Sequence, residues 1–244
     1  MAFEFSPELA KICGIHVGDG YLRNDGKRAE LDISGNTEEK EYYDLHVKKL
    51  FKNALDIDII CRFFQPRNTY GFVVRNKKII EFMHTLGFPY GNKSTIVKIP
   101  NWISESTDKE IITRFLRGLF DTDGCVHFWK RNSGKYGKFK KNHHYYPIIK
   151  FGTVSKELYN QVKKILEKLE FGKIGQYIYK PKNINENIRY VLTLYGPNKI
   201  DKFFKLIGSK NPVKLSRVQL WNKLGYCPAN TTLKQRLEML KNPV

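Results

Sequence analysis

The chain of 244 residues contains one pattern twice, and this internal repeat restricts its fold more than any other feature. In the first copy the strand-like segment LDISG leads into the helix-like TEEKEYYDLHVKKLFKNAL, and in the second IIKFG leads into SKELYNQVKKILEKLEFG. Each copy then continues through a hairpin-like stretch to a short helix, which ends at Gly87 or Gly208. Since a repeated segment forms one supersecondary unit, the two halves should share a fold.

A second shared segment precedes each copy, ICGIHVGDG at residues 12–20 and LRGLFDTDG at residues 116–124. Both are typical of the end of a helix, and both carry small residues four positions apart: Gly14, Gly18, Gly118 and Thr122. Small residues at this spacing let two helix backbones approach closely, so we expect the two helices to pack about a pseudo-twofold axis. Their Asp-Gly ends should then lie side by side, with Gly20 and Gly124 as helix caps.

The repeat predicts an α+β fold of two pseudo-symmetric αββαββα subdomains, packed through the helices of the shared segments. The subdomains should span residues 1–98 and 110–225, joined by a linker at 99–109. Their paired antiparallel sheets should spread outward as one concave, saddle-shaped surface. Residues 226–244 lie outside the repeat and form a C-terminal extension that the repeat does not explain.

The charge of the chain indicates a polyanionic partner. Lys and Arg number 43 against 24 for Asp and Glu, which gives a formal net charge of +19. Residues 125–154 and 171–185 contain no acidic side chain, although cations and aromatic residues recur in both stretches. Cations without counter-charge repel one another unless an anion neutralises them, and the phosphates of a nucleic acid do so.

The sequence also indicates the cellular compartment in which the protein acts. The apolar runs are too short to span a membrane, and the N-terminus lacks the basic and apolar stretches of a secretion signal. The four cysteines include no CxxC pair, which argues against a zinc finger and indicates a reducing compartment. We therefore expect an intracellular protein, in the cytoplasm or nucleoid or in an organelle, with no membrane partner.

Asp19 and Asp123 are the candidate catalytic residues, since they occupy equivalent ends of the two expected helices. Two carboxylates placed side by side repel each other, and each also lies at the negative end of a helix dipole. A shared divalent cation would relieve both effects, and carboxylate, water and phosphate oxygens are Mg²⁺-type ligands suited to phosphodiester hydrolysis. The alternative is that both are ordinary turn residues at helix ends. Their duplication within a duplicated helix favours function.

The two segments resemble the paired motifs of the LAGLIDADG family, and FLRGLFDTDG is the closer match. The resemblance covers most of the chain, including GNKSTIVKIPNWI between the halves, and is to the monomeric, double-motif homing endonucleases. It implies that Asp19 and Asp123 bind the metal, with Gly18 and Thr122 beside them as further ligands. It also implies Mg²⁺ as the cofactor, with Mn²⁺ as a substitute and Ca²⁺ supporting DNA binding without cleavage.

The same resemblance implies the αββαββα unit twice and cleavage of both DNA strands across the minor groove. Lys93 and Lys214 correspond to the family's active-site lysine and are therefore candidate catalytic residues. The first motif departs from the family pattern, because Val17 replaces an acid and His16 an apolar residue. Neither is the metal position, so we interpret both as variation at the helix interface.

Alternation along the strands predicts which side chains face DNA. Val126 and Phe128 should face the helices, which turns the residues between them outward, and a two-stranded ribbon of this kind fits the major groove. A register shift of one residue would exchange the two faces. The candidate DNA contacts on these and other predicted strands and hairpins are Tyr21, Arg23, Arg62, Gln65, Arg67, Arg75, His127, Trp129, Arg131, Lys138, Lys140, Lys180, Lys182 and Arg189.

These features predict a site-specific double-strand DNA endonuclease that acts as a monomer on a long site. Two alternatives stay open, an RNA-splicing maturase acting on host intron RNA and a non-cleaving DNA-binding regulator on the same scaffold. Loss of a metal-binding acid would mark the regulator, and both acids are present. The basic faces fit either nucleic acid.

Overall fold

The first half of the chain follows the predicted order of helix, hairpin, helix, hairpin and helix. The structure, a computed structural model, describes residues 4–130 and 145–241. Helix and strand alternate in the first half as follows: α1 Pro7–Asp19, β1 Gly20–Asn24, β2 Ala29–Asn36, a 3-10 turn Thr37–Glu39, α2 Lys40–Tyr42, a π-helical turn Tyr43–Val47, α3 Lys48–Leu55, β3 Arg62–Phe64, a 3-10 turn Gln65–Arg67, β4 Thr69–Val74 and α4 Lys77–Thr85.

The second half repeats this order and adds three helices, α5 before it and α9 and α10 after it. Its elements are α5 Asn101–Ser104, α6 Lys109–Thr122, β5 Cys125–Lys130, β6 Tyr145–Thr153, α7 Lys156–Lys168, β7 Gly175–Tyr179, β8 Arg189–Tyr195, α8 Pro197–Leu206, α9 Pro212–Leu224 and α10 Leu233–Lys241. The predicted linker 99–109 thus contains the short helix α5 and contributes Lys109 to α6. Asp108 begins α6 because its carboxylate accepts a hydrogen bond from the Glu110 N–H at 2.7 Å.

Within the described residues, the strands form two four-stranded antiparallel sheets of equivalent topology. Sheet 1 has the order β1-β2-β4-β3, and sheet 2 has the order β5-β6-β8-β7. Side chains on one face of each sheet are buried against the helices, among them Leu31, Ile33 and Phe72 in sheet 1 and Val126, Ile149 and Leu194 in sheet 2. The opposite face of each sheet, here called its outer face, carries the more exposed residues. The predicted fold class is therefore confirmed.

The two motif helices α1 and α6 meet through their glycines. A Cβ atom on Gly14 would lie 2.1 Å from the Phe115 carbonyl oxygen, and one on Gly118 would lie 2.2 Å from the Lys11 carbonyl oxygen. Both distances are far below van der Waals contact, so the backbones can approach only where neither residue has a side chain. The spacing of small residues correctly predicts this contact.

Gly20 and Gly124 are not left-handed caps, contrary to the expectation from sequence. Gly20 is extended, at φ −84° and ψ 149°, and Gly124 is not among the glycines with positive φ. Glycine is required at both positions because there is no room for a side chain. A Cβ on Gly20 would lie 2.1 Å from His16 Nδ1, and one on Gly124 would lie 2.2 Å from the Phe120 ring. His16 itself is fully buried, with its ring edge-on to Phe88.

Several candidate DNA contacts lie beyond the strands on which they were expected. Gln65 and Arg67 belong to a 3-10 turn after β3, Arg75 follows the end of β4, and Lys180 and Lys182 follow the end of β7. Pro66 and Pro181 explain two of these endings, since proline cannot donate a hydrogen bond to a neighbouring strand. Three further candidates, Arg131, Lys138 and Lys140, lie outside the described residues.

The C-terminal extension packs against both halves of the chain. The Arg236 side chain on α10 is fully buried and donates from Nε to Ser216 Oγ of α9 at 2.9 Å and from Nη1 to the Thr231 carbonyl. The Leu233 N–H donates to Glu38 Oε1 in the first half, also at 2.9 Å. Residues after the repeat therefore join α9 to the first subdomain. No helix in the described ranges has the length and apolar character needed to cross a membrane.

Replacement of Gly118 by alanine should destabilise the protein by about 3 kcal/mol, because the added methyl group would separate α1 from α6. Urea unfolding of parent and variant measures the loss. Gly152→Ala is the matched control, since a Cβ on Gly152 meets nothing within 4 Å, and it should change the free energy of unfolding by less than about 0.5 kcal/mol. Equal losses in the two variants would show that the close helix contact is not required.

Candidate metal and nucleic-acid site

Asp19 and Asp123 lie together where α1 and α6 end. A Cβ on Gly18 would lie 3.3 Å from Asp123 Cγ, which places the second carboxyl against the first motif. Loss of hydration, followed by the nearby Asp123 and Glu39 carboxylates, raises the pKa of Asp19 to about 7. Asp123 is open to solvent on one side, yet the protein around it still removes enough water to raise its pKa, while Lys93 and Lys214 oppose that rise.

Lys93 and Lys214 occupy equivalent positions beside the two helix ends. Lys93 Nζ donates to the carbonyl oxygens of Val17 at 2.8 Å and Gly18 at 3.0 Å. Lys214 Nζ donates to those of Thr122 at 3.1 Å and Gly124 at 2.6 Å. Lys93 thereby satisfies two carbonyl groups that α1 leaves without partners at its C-terminus, and Lys214 satisfies that of Thr122, the last residue of α6.

The four candidate catalytic residues therefore converge on one place, although the chain separates them widely. Burial lowers the pKa of Lys93, and the carboxylates of Asp123 and Asp19 counter that effect. Lys214 lowers the pKa values of both Asp19 and Asp123 through its charge. The two carboxylates and two ammonium groups thus influence one another across the helix interface.

The oxygen donors at this place fit a divalent cation. The two carboxylates repel each other and lie near the carbonyl oxygens of Gly18 and Thr122. Each of these carbonyl oxygens accepts one hydrogen bond from a lysine and keeps a second lone pair. These are the hard oxygen ligands that Mg²⁺ takes. In the part of the chain that the structure describes, no group of three or more His, Cys, Asp or Glu side chains forms a metal cluster.

Two residues that the sequence did not single out as functional lie beside the Asp19 carboxyl. Tyr43 Oη donates to Asp19 Oδ2 at 2.9 Å, and Glu39 lies one helical turn before Tyr43. Gly35 makes room for them, because a Cβ there would lie 2.4 Å from Glu39 Oε2 and 2.8 Å from Asp19 Oδ2. Helical spacing with Val47 and Phe51 predicts only that Tyr43 is a core residue. The spacing Asn36-x-x-Glu39, which forms a capping box, was the available signal for Glu39.

Asn211 connects this cluster to the second half. Its Nδ2 donates to Glu39 Oε1 and to the Asp121 carbonyl, both at 2.7 Å, and its Oδ1 begins α9, the helix that carries Lys214. The buried Asp121 carboxylate accepts from Ser209 Oγ and the Lys210 N–H and lies 3.4 Å from Lys11 Nζ. Asp121 is the acid whose counterpart in the first motif is Val17, so the first motif lacks the carboxylate around which this network forms.

The outer faces of the sheets carry the candidate DNA contacts that lie on strands. In sheet 2, His127 pairs with Ile148 and Arg189 with Tyr179 on the face opposite the buried Val126. Trp129 pairs with Tyr146 further along the same two strands. Sheet 1 presents Tyr21, Arg23 and Arg62 on its outer face, opposite the buried Leu22. Gln65, Arg67, Arg75, Lys180 and Lys182 surround these faces from turns and strand ends.

Comparison with known proteins assigns the fold. Residues 110–208 match the LAGLIDADG-like domain. A solved structure of I-DmoI in complex with DNA and Ca is similar with a TM-score of 0.55 and 16% identity, covering 88% of this chain and 98% of that chain. The N-terminal LAGLIDADG domain of DUF199/WhiA is similar with a TM-score of 0.50 and 16% identity, covering 84% and 82%. Identities this low speak for the fold alone.

Similar sequences occur within tRNA-splicing ligases. The tRNA-splicing ligase RtcB of Methanopyrus kandleri is 29% identical over 210 residues, which is 82% of this chain and 20% of the ligase. The RtcB of Methanocaldococcus jannaschii is 28% identical over 219 residues, covering 80% and 21%. The chain therefore spans about a fifth of the length of the curated relatives that it matches.

The doubled αββαββα unit, joined by two glycine-packed helices that end in Asp-Gly, is the fold class that the resemblance to the LAGLIDADG motif implies. The family match to the second half and the structural likeness across both halves agree with this class. Residues 110–208 thus match a LAGLIDADG-like domain, and the chain as a whole is similar in fold to solved homing endonucleases.

The raised pKa of Asp19 predicts a pH-dependent stability. Between its model-compound value of 3.8 and about 7, the folded protein binds more protons at Asp19 than the unfolded chain does. The free energy of unfolding should therefore fall as the pH rises through this range. Asp19→Asn removes the ionisation, so this variant should be more stable than the parent at pH 8 by about 1–3 kcal/mol, and the difference should shrink toward pH 4.

Urea unfolding in EDTA across this pH range measures the effect without bound metal. Asp58→Asn is the matched control, because Asp58 is exposed and pairs with Lys52 at 3.0 Å away from the helix ends. If the two variants show the same pH profile, the surroundings of Asp19 do not disfavour its charge.

Proposed function

We propose that this protein is a site-specific DNA endonuclease that hydrolyses both strands of a long duplex site. The observation that carries the proposal is the convergence of Asp19, Asp123, Lys93 and Lys214 at the paired ends of α1 and α6. Solved homing endonuclease structures with DNA and divalent metal share the fold and support the choice of substrate. The similarity to RtcB concerns a fifth of each ligase, so we propose no ligation.

The metal that fits this site is Mg²⁺, held by the carboxylates of Asp19 and Asp123 with the carbonyl oxygens of Gly18 and Thr122. When bound, the metal would activate water and stabilise the oxygen that leaves phosphorus. Mn²⁺ should substitute for it, and Ca²⁺ should support binding without cleavage. Tyr43 positions Asp19 by donating to its carboxylate, whereas the nearby Glu39 carboxylate raises the pKa of Asp19.

The lysines have a different role from the aspartates. Lys93 and Lys214 bring a positive charge to each helix end, where a phosphate would gain negative charge during hydrolysis. Both also hold backbone carbonyls, so they fix the shape of the site as well as its charge. The outer faces of the two sheets would enter the major groove on either side of the cleavage position.

Asp19→Asn and Asp123→Asn should each lower the rate of strand cleavage by about a hundredfold or more, while specific binding survives. The amide keeps the shape of the carboxylate and loses the charge that holds the metal. Lys93→Met and Lys214→Met should slow cleavage by less. A library of long duplexes with Mg²⁺, followed by sequencing of the cut ends, first identifies a site. Cleavage with Mg²⁺ and gel-shift binding with Ca²⁺ are then measured on that one duplex.

Asp201→Asn and Lys205→Met are matched controls, since both residues are exposed on α8. These variants should cut at the parent rate. Cutting of both strands at near that rate by either motif variant would overturn the metal assignment. Loss of binding together with cleavage in both motif variants would make the aspartates structural. A duplex RNA of the same sequence should not be cut.

The active form should be a monomer, because one chain supplies two aspartates and two lysines to a single site. Sedimentation of the Ca²⁺ complex with the selected duplex measures the stoichiometry. One protein chain per duplex is the expected result, and two chains per duplex would refute it.

A further inference from the structure

The outer face of sheet 1 carries acidic side chains among its arginines. Glu30 and Asp32 both lie on β2, where Glu30 pairs in register with Arg23 of β1 and Asp32 pairs with Tyr21. Both carboxylates are partly buried, with 21% and 17% of their side-chain surface exposed. Acids at the centre of a surface meant for a polyanion cost binding energy, so their presence calls for a specific role.

Asp32 holds Arg67 in one position. Arg67 Nη1 donates to Asp32 Oδ2 at 2.8 Å and Nη2 to Oδ1 at 3.4 Å, so the carboxylate holds the guanidinium fork with both oxygens. The same guanidinium lies over the Phe64 ring, 4.4 Å from its centroid. A carboxylate and a ring thus fix the group, and N–H donors remain free because guanidinium has five.

Two more arginines of this region have a carboxylate partner. Arg75 Nε donates to Glu30 Oε1 at 2.9 Å, and Arg23 Nε donates to Asp25 Oδ2 at 2.7 Å. Every arginine among these pairs is a candidate DNA contact. Three arginines of this region are therefore compensated before DNA arrives, whereas Arg62 lies over the Phe64 ring, 5.1 Å from its centroid.

Sheet 2 differs in this respect. Its outer face carries Lys150, opposite Cys125 and Thr193, and Arg189, opposite Tyr179. Among the residues that the structure describes, neither cation forms an ion pair with a carboxylate. The two sheets have the same topology, so their different charge reflects the side chains and not the fold.

We propose that Asp32 and Glu30 determine the sequence specificity of DNA binding by holding Arg67 and Arg75 for base edges rather than phosphates. The inference rests on the proposed function and assigns a different role in DNA binding to each subdomain. Sheet 1 reads bases, and guanine is the base that arginine recognises through two hydrogen bonds. The uncompensated cations of sheet 2 hold phosphates, which supply affinity without regard to sequence.

Two physical effects lead to this division. An arginine that is already ordered loses less side-chain entropy when it contacts a base, so the matched sequence gains affinity. The adjacent carboxylate repels phosphate oxygens, so sequences that offer only backbone contacts lose affinity. Both effects widen the gap between specific and non-specific binding, and removal of the carboxylate reverses both.

Asp32→Asn tests the inference. The freed Arg67 should contact phosphate, so affinity for an arbitrary duplex in Ca²⁺ should rise about threefold or more. For this variant, the logarithm of the binding constant should fall more steeply with the logarithm of the salt concentration between about 50 and 200 mM. The slope should exceed that of the parent by about 0.9. Selection from duplexes with a long randomised core should give the parent a consensus with guanine opposite sheet 1, and Asp32→Asn should lose that preference. Glu30→Gln should act in the same direction through Arg75.

Glu110→Gln is the matched control, since it frees Arg114 from a comparable pair at 3.0 Å on the surface of α6. It should change neither the salt slope nor the consensus. The double variant Asp32→Asn/Arg67→Gln should return to the parent slope without recovering the guanine preference, which a merely structural role of Asp32 would not produce. Thermal unfolding verifies that each variant is folded.

An unchanged slope and consensus in Asp32→Asn would overturn the inference, and so would an equal change in Glu110→Gln. If the parent itself neither binds the arbitrary duplex nor enriches any sequence, the proposed endonuclease function fails instead.

Discussion

The direct contact between the backbones of α1 and α6 determines where the rest of the site can lie. Gly14 and Gly118 bring the helices to a separation that no side chain would allow, and the helices then end together. Two carboxylates consequently lie together where burial removes much of their hydration, which raises the pKa of Asp19 and of Asp123. The unfavourable electrostatic energy of the two carboxylates, which makes the site suitable for a cation, is therefore a result of helix packing.

Lys93 and Lys214 offset part of this unfavourable energy with their positive charges. Each subdomain contributes one lysine to its own helix end, and the charge of Lys214 also acts on Asp19 in the other subdomain. Asn211 and Glu39 then fasten the start of α9 to the first half, so the position of Lys214 depends on residues from both subdomains. The pseudo-symmetry is accordingly close at the helix ends and incomplete around them.

The sequence predicted those parts of the structure that follow from periodicity. The repeat predicted both αββαββα units, and alternation placed Val126 in the core. Periodicity contains no information about strand length, which is why Gln65 and Arg67 were expected on a strand that ends before Pro66. Nor does it reveal contacts across long separations, such as that of Tyr43 with Asp19 or of Arg67 with Asp32. Those contacts depend on how whole elements pack.

The C-terminal extension has a consequence for the order of folding. The hydrogen bond from Leu233 to Glu38 joins residues 195 positions apart, and Arg236 completes the same junction. Contacts at such separation form slowly because a long loop must close first. During synthesis, the first subdomain leaves the ribosome before α6 exists to cover the glycine face of α1. The helix face of α1 is therefore open to aggregation until α6 emerges, and the junction with Glu38 can form only after α10 has been released.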